Sequence, residues 1–374
     1  MHAGGDLLCI GPPSLSIQQG VCTSTQARRS NTLSPLFALG DNMTMLVRLL
    51  NDNARFALLH RGTVNHLPMT LVALSKLGAS DERLVEYFGY WEQKFALPRE
   101  GVETPLSRRD WTSGLGRREA FWPLADLFAV WIAEEGVEKV VGAVAPRLER
   151  GPGALAFHAM IRLAYGVEAG HQGEVAAGLG SWVAAHRDLS LGLTGAQPAA
   201  SVAEGLSRIR AAVGGSPPVG GTISNAMVTV AAKEEFRAAL AAPPPGELLR
   251  EMSRAAIRLY WTTANFTALH MVTAVHVARV ILERFPSLAT PALSQALWAE
   301  WCAAYATVGA PPLEEPAAED RPLGWAPICA SAVRQNNDHV IKLTYTCRAE
   351  EARYGDAFYR QAAGRLALPQ PASA

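Results

Sequence analysis

The sequence has no charge of one sign to offer a polyanion: 34 Lys and Arg balance 34 Asp and Glu, and charged residues make up only 18% of the chain. Without a basic excess there is no field to gather phosphates or anionic lipid. Neither nucleic acid nor a membrane surface is therefore expected as a partner. Cysteine is scarce and unpatterned. Cys9, Cys22, Cys302, Cys329 and Cys347 form no C-x-x-C pair, and an odd count does not close a disulfide framework, so a reducing, cytoplasmic setting is expected. Long apolar runs are missing too, because Asp126, Arg279 and Glu300 interrupt the most apolar stretches short of the roughly 18 residues that a membrane span needs. The early run Leu7–Ile10 stops at Gly11-Pro12-Pro13, so no secretory leader is read there. No G-x-G-x-x-G follows a strand pattern, and neither a P-loop nor a G-x-S-x-G elbow occurs. Dinucleotide, nucleotide and serine-hydrolase readings lose their usual anchors.

What the sequence has is material for a core: 49% of its 374 residues are hydrophobic. Residues 1–40 are rich in Gly, Ser, Thr, Gln and Pro without periodicity, and read as a flexible tail. From Met45 onward the apolar residues fall at helical spacing. Ser80 caps one helix, with Asp81 and Glu82 in its first turn and Leu84, Tyr87, Phe88 and Trp91 on one face. The preceding helix starts near Pro68 and stops at Gly78. Further helices are expected over 118–135, 154–168, 172–186, 248–284, 291–306 and 330–348. The only β-like stretch is Thr222 to Val230. The expected fold is all-α, a single large irregular helical domain over 41–366 with a buried site between helices, followed by a short tail at 367–374. The Gly/Pro-rich loops 187–224 and 311–325 are expected to border the pocket.

Chemistry then falls to the histidines. His60, His66, His158, His270, His276 and His339 lie in or beside apolar segments, whereas His2, His171 and His186 have polar surroundings and read as solvated. His339 and Lys342 are three apart, about 60° around a helix, and share a face. A buried lysine there is either paired with a carboxylate such as Asp338, or held neutral and able to take up carbon dioxide as a carbamate. His270 and His276 are about 120° apart on one helix, so that helix aims at most one of them at a common ion. His66 precedes a helix N-terminus, which favours the neutral imidazole that binds metal. Ligands from four helices converging in a bundle make a metal centre, while core histidines satisfied by hydrogen bonds remain the structural alternative.

The segments that hold these residues resemble a known family. His60-Arg-Gly-Thr-Val-Asn-His66 with the helix that follows, Phe157-His158 with Tyr165-Gly-Val-Glu168, Leu269-His270-Met-Val-Thr-Ala-Val-His276, and Asp338-His339-Val-Ile-Lys342 are similar, in order, to the motifs of questin oxidase-like proteins. The resemblance implies an all-helical oxidoreductase that opens a ring of a polycyclic quinone or aryl ketone with O2, in a Baeyer-Villiger-type outcome. It also implies a non-haem iron, with His66, His158, His270 and His339 as imidazole ligands and Lys342 as a carbamate. His60 and His276 match motif positions and are carried as catalytic candidates, either behind the ligands or on the substrate side. Some relatives consume NADPH, for which this sequence has no fingerprint. Phe157, Tyr165, Trp261 and Phe266 are the aromatic residues expected around a flat substrate. A drifted metal-dependent hydrolase or isomerase, or a non-catalytic binder of a small apolar ligand, are the alternatives to the oxygenase.

Overall fold

The computed structural model describes residues 43–60, 63–99, 104–193, 195–215, 217–218, 221–313 and 324–368. The expected tail 1–40 lies outside them, as do residues 369–374 and the central part of the 311–325 loop. Sixteen α-helices and one two-residue hairpin are described, so the fold is all-α.

Helix α1 (Met45–Asp52) leads through a 3-10 turn to the hairpin, in which β1 (Leu59–His60) pairs antiparallel with β2 (Thr63–Val64). Next come α2 (Leu67–Lys76), α3 (Asp81–Phe95), α4 (Phe121–Glu135) and α5 (Val137–Val144). The middle of the chain forms α6 (His158–Glu168), α7 (Gln172–Ala184), α8 (Val202–Val213), α9 (Ile223–Ala231) and α10 (Glu234–Ala239). The remainder folds as α11 (Leu248–Thr263), α12 (Phe266–Arg284), α13 (Pro291–Thr307), α14 (Trp325–Arg334), α15 (Asp338–Tyr354) and α16 (Phe358–Ala367).

Small residues set the tightest packing. Every residue of α7 from Glu174 to Ala184 is buried. A Cβ added at Gly178 would lie 2.5 Å from Leu163 Cα on α6, and one at Gly180 would lie 2.9 Å from the Ala125 nitrogen on α4. Glycine therefore lets α7 slide between two helices at backbone contact. Helix α12 is apolar on all sides because it is a central element. The sequence predicted no span, yet α12 is long and apolar enough to cross a membrane by length and composition; 67% of its most apolar window is buried inside the fold.

Local capping explains where the expected elements differ. The long helix expected over 248–284 breaks because Ala264 turns left-handed (φ 47°) and Asn265 caps α12, its Oδ1 accepting the Thr267 N–H at 2.8 Å. The helix expected over 330–348 breaks likewise where Asn337 Oδ1 accepts the His339 N–H at 3.1 Å and starts α15. The β-like stretch 222–230 is corrected to α9: Thr222 caps it, and Met227, Val230 and Ala231 bury one helical face. The 187–224 segment is not a bare loop, since α8 occupies 202–213.

Candidate metal centre

Four helices close a ring around the site: α2 packs on α6, α6 on α12, α12 on α15, and α15 back on α2. Each points its N-terminal end inward. His66 is the N-cap residue of α2, His158 the first residue of α6, His270 lies one turn into α12, and Asp338 and His339 open α15. Helix N-termini carry partial positive charge, which disfavours imidazolium and favours negative charge nearby.

Placement of each histidine follows from its surroundings. Asn65 locks the His66 backbone: its Oδ1 accepts the Leu67 N–H at 3.0 Å, and its Nδ2 donates to Asn53 Oδ1 at 2.9 Å. Asn53 in turn donates to Glu174, which holds Arg162 in a buried ion pair at 2.7 Å. His158 follows three successive residues in the left-handed region, Leu155 (φ 54°), Ala156 (φ 55°) and Phe157 (φ 69°). Such backbone costs on the order of 1–2 kcal/mol per residue. It puts the Leu155 carbonyl 2.5 Å from His158 Nδ1.

The imidazoles of His66, His158, His270 and His339 form one cluster. Ring centroids lie 4.7 Å apart for His66 and His158, 5.0 Å for His158 and His270, 5.4 Å for His270 and His339, and 5.1 Å for His339 and His66. Every Nδ1 faces an oxygen acceptor. For His158 it is the Leu155 carbonyl, for His270 the Phe266 carbonyl at 2.8 Å, for His339 Asp338 Oδ1 at 3.0 Å, and for His66 Asp338 Oδ2. A ring nitrogen facing a carbonyl or carboxylate carries its proton, so the other nitrogen, Nε2, keeps its lone pair. His66 Nε2 and His158 Nε2 face each other at 2.8 Å, and His339 Nε2 is buried without a hydrogen-bond partner.

Two lone pairs cannot satisfy each other, so the pair needs a shared proton or a cation. A proton is disfavoured. Burial, aided by Lys342, pushes the His66 pKa down to about 3. Burial and the neighbouring histidines hold His158 well below the usual range, and burial with His339 does the same for His270. Burial and Lys342 also lower His339. Neutral, clustered imidazoles with oriented Nδ1–H groups, two of which bring their Nε2 atoms to 2.8 Å, fit a borderline metal ion such as iron or zinc.

Asp338 was seen in the sequence only as a partner for Lys342, and it is the residue the motif reading missed. Its two oxygens hold His66 and His339, and Oδ2 also lies 3.2 Å from Lys342 Nζ. Burial acts to raise its pKa, but Lys342, His339 and His66 outweigh that and hold the carboxyl well below its usual range. His66, Asp338 and His339 each offer a donor atom within 4.8 Å of the others. With both oxygens facing imidazole Nδ1 atoms, however, Asp338 is placed to orient the two rings rather than to offer a donor of its own. The signal for it was available: an Asp directly before a motif histidine at a helix start. For Lys342, the ion pair left open by the sequence is the arrangement observed here.

His276 lies away from the cluster. It is fully buried nearly three turns along α12, where its Nδ1 meets Glu350 Oε1 at 2.8 Å within a network that includes Arg279. It is not among the described residues that line the cavity. His60 ends β1, and the adjoining Arg61 and Gly62 lie outside the described residues. His171, expected to be solvated, is buried, and its Nδ1 accepts the Glu174 N–H at 3.0 Å to cap α7.

The cluster forms one wall of a cavity of about 680 Å³. Of the expected aromatics only Phe266 lines it, 54% exposed, with its ring 4.5 Å from His270 and 4.7 Å from His339. Phe157 and Tyr165 are core residues, and Trp261 packs on Phe358. Tyr87, Trp91 and Phe95 of α3 supply the aromatic wall instead, and Arg118 is the only Lys or Arg in the described lining. Among the described residues of the 187–224 segment only Gly221 to Ser224 reach the cavity, while 314–323 of the second expected loop lie outside the described residues.

Among known proteins, no curated sequence matches the chain. The profile described as questin oxidase-like matches residues 63–347, about three-quarters of the sequence. That span contains His66, His158, His270, His339 and Lys342, and the family's name denotes an oxidase. The chain belongs to the questin oxidase-like family.

Proposed function

We propose that the protein is a non-haem metal-dependent oxygenase that oxidatively cleaves one ring of a polycyclic quinone or aryl ketone. The observation that carries this reading is the cluster of four imidazoles with every Nδ1 engaged by an acceptor and with the Nε2 atoms of His66 and His158 meeting beside an apolar cavity. His66, His158, His270 and His339 would hold the ion. A redox-active ion such as iron would supply the one-electron chemistry that lets oxygen react with a closed-shell aromatic. Carboxylation of Lys342 would add an anionic oxygen donor; burial favours the neutral amine this needs, and Asp338 opposes it.

The chain's own residues bind and orient. Tyr87, Trp91, Phe95 and Phe266 offer faces to a flat ring system, in a volume typical of small-molecule sites. Phe266 sits over His270 and His339, so a ring stacked on it lies next to the cluster. Arg118 is placed to pair with a phenolate or carboxylate of the substrate. Inserting one atom of O2 beside a ketone and releasing the other as water takes two electrons and two protons. These come from a reductant such as NADPH or from a substrate in its hydroquinone form. The hydrolase alternative is disfavoured, because Asp338, the one carboxylate in the described lining, is committed to two imidazoles and Lys342. The buried thiols of Cys302, Cys329 and Cys347 suit a reducing cytoplasm.

Oxygen consumption tests the reading. Protein loaded with ferrous iron without air, then given air-saturated buffer and a hydroxyanthraquinone with reductant, is expected to consume O2 in step with loss of the quinone chromophore. Loss of the chromophore without O2 uptake would overturn it.

A further inference from the structure

Glu300 has no part in the chemistry above, yet its carboxyl group reaches the backbone that aims His158. It projects from α13 into the core, 3% exposed, and Oε2 accepts the Gly153 N–H at 2.5 Å. Gly153 begins the approach to the left-handed residues Leu155, Ala156 and Phe157. Its carbonyl accepts the Phe157 N–H at 3.2 Å, and the Leu155 carbonyl holds both His158 N and His158 Nδ1. The fit around Gly153 is close: a Cβ there would lie 2.5 Å from Glu300 Oε2. A buried carboxyl is costly in the core unless it meets a donor, and the Gly153 N–H would be an unsatisfied buried donor without it. An alkyl side chain would fill the volume and leave that donor unpaired. Burial pushes the Glu300 pKa well up against the opposing effect of the Gly153 N–H, whose proton Oε2 accepts.

We infer that Glu300 is a positioning residue of the metal centre. By holding Gly153 it keeps the 155–157 turn left-handed, and that turn fixes His158 as the Nδ1–H tautomer with Nε2 turned toward His66. The inference rests on the metal-site reading and goes beyond it by assigning a role to a residue on a helix outside the four-helix ring. Glutamine keeps the acceptor oxygen, and leucine removes it at similar volume.

The test is titration of wild-type, Glu300→Leu and Glu300→Gln proteins with Co2+ alone, read by the visible ligand-field bands, with thermal unfolding run alongside. Expected is a loss of Co2+ affinity of about 10- to 100-fold in Glu300→Leu, the size typical when a partner of a metal-binding histidine is removed, and near wild-type affinity in Glu300→Gln. Equal affinities in all three proteins overturn the positioning role, and so does equal weakening in both variants, because an acceptor role predicts rescue by glutamine. If Glu300→Leu does not fold, Glu300→Gln decides: its Co2+ affinity must follow the wild-type pH profile, and a departure overturns the inference. A wild-type protein that binds no Co2+ refutes the metal site itself, a result distinct from all of these.

Discussion

At the residue scale the site turns on one carboxylate. Asp338 meets His66, His339 and Lys342 at once, so changing it alters two imidazole orientations and frees a buried cation. Lys342 is the sharper case, because its two roles carry opposite charges. As an ammonium it balances Asp338; as a carbamate it would be a second anion in the same space, stable only with a metal cation present. The expected outcome is therefore conditional. In protein equilibrated with 13C-bicarbonate, a carbamate carbonyl resonance should appear on metal loading, disappear when the metal is chelated, and be absent in Lys342→Ala. Full activity of the loaded protein without such a resonance would return Lys342 to its role as the ion-pair partner of Asp338.

At the element scale, the histidine cluster was legible from the family resemblance and, for His66, from the helix start that follows it, while the helix starts that carry His158, His270 and His339 lay inside longer expected helices. Ser80 capping α3 was readable. Asn265 and Asn337 have the same capping chemistry, yet the expected helices ran straight through them, Asn265 because it sits in a long apolar pattern, Asn337 although the polar run Arg334 to His339 around it was a readable break. The core-facing stripe of α3 was read correctly, Leu84, Tyr87, Phe88 and Trp91 all being buried, but that Tyr87 and Trp91 also border a cavity was not legible, because no single helix encodes that space. The left-handed run Leu155 to Phe157 was not legible. None of its residues is Gly or Asn, so only tertiary contacts, among them Trp182 Nε1 donating to the Gly151 carbonyl at 2.8 Å and Glu300 on Gly153, account for it. His276 illustrates the converse. It is six residues from His270 and was paired with it by motif, but about 120° of helix turns it to Glu350.

At the scale of the whole molecule, four neutral imidazoles, three buried and that of His339 half-buried, make stability depend on pH. Folded, all four are held below 6.5; unfolded, they titrate near that value. Below it the unfolded chain binds more protons than the native one, so stability falls as pH drops. Each imidazole adds up to about 1.4 kcal/mol per pH unit to that slope. Asp338 acts in the same direction at lower pH, because its native carboxyl resists protonation. Protein treated with chelator is expected to lose thermal stability steeply on acidification from neutral pH, and substitution of His158 and His270 by Gln should flatten the dependence. A slope unchanged by those substitutions would mean that these histidines do not titrate differently in the two states.

The most direct measurement is anaerobic titration of chelator-treated protein with ferrous iron, with the ion bound per chain determined by elemental analysis after desalting. The account predicts a single ion per chain in the wild type and little or none when His66, His158, His270 or His339 is individually replaced by Ala in a protein that remains folded by circular dichroism. A wild-type chain that retains no ion, or four folded variants that each retain a full complement, would contradict it.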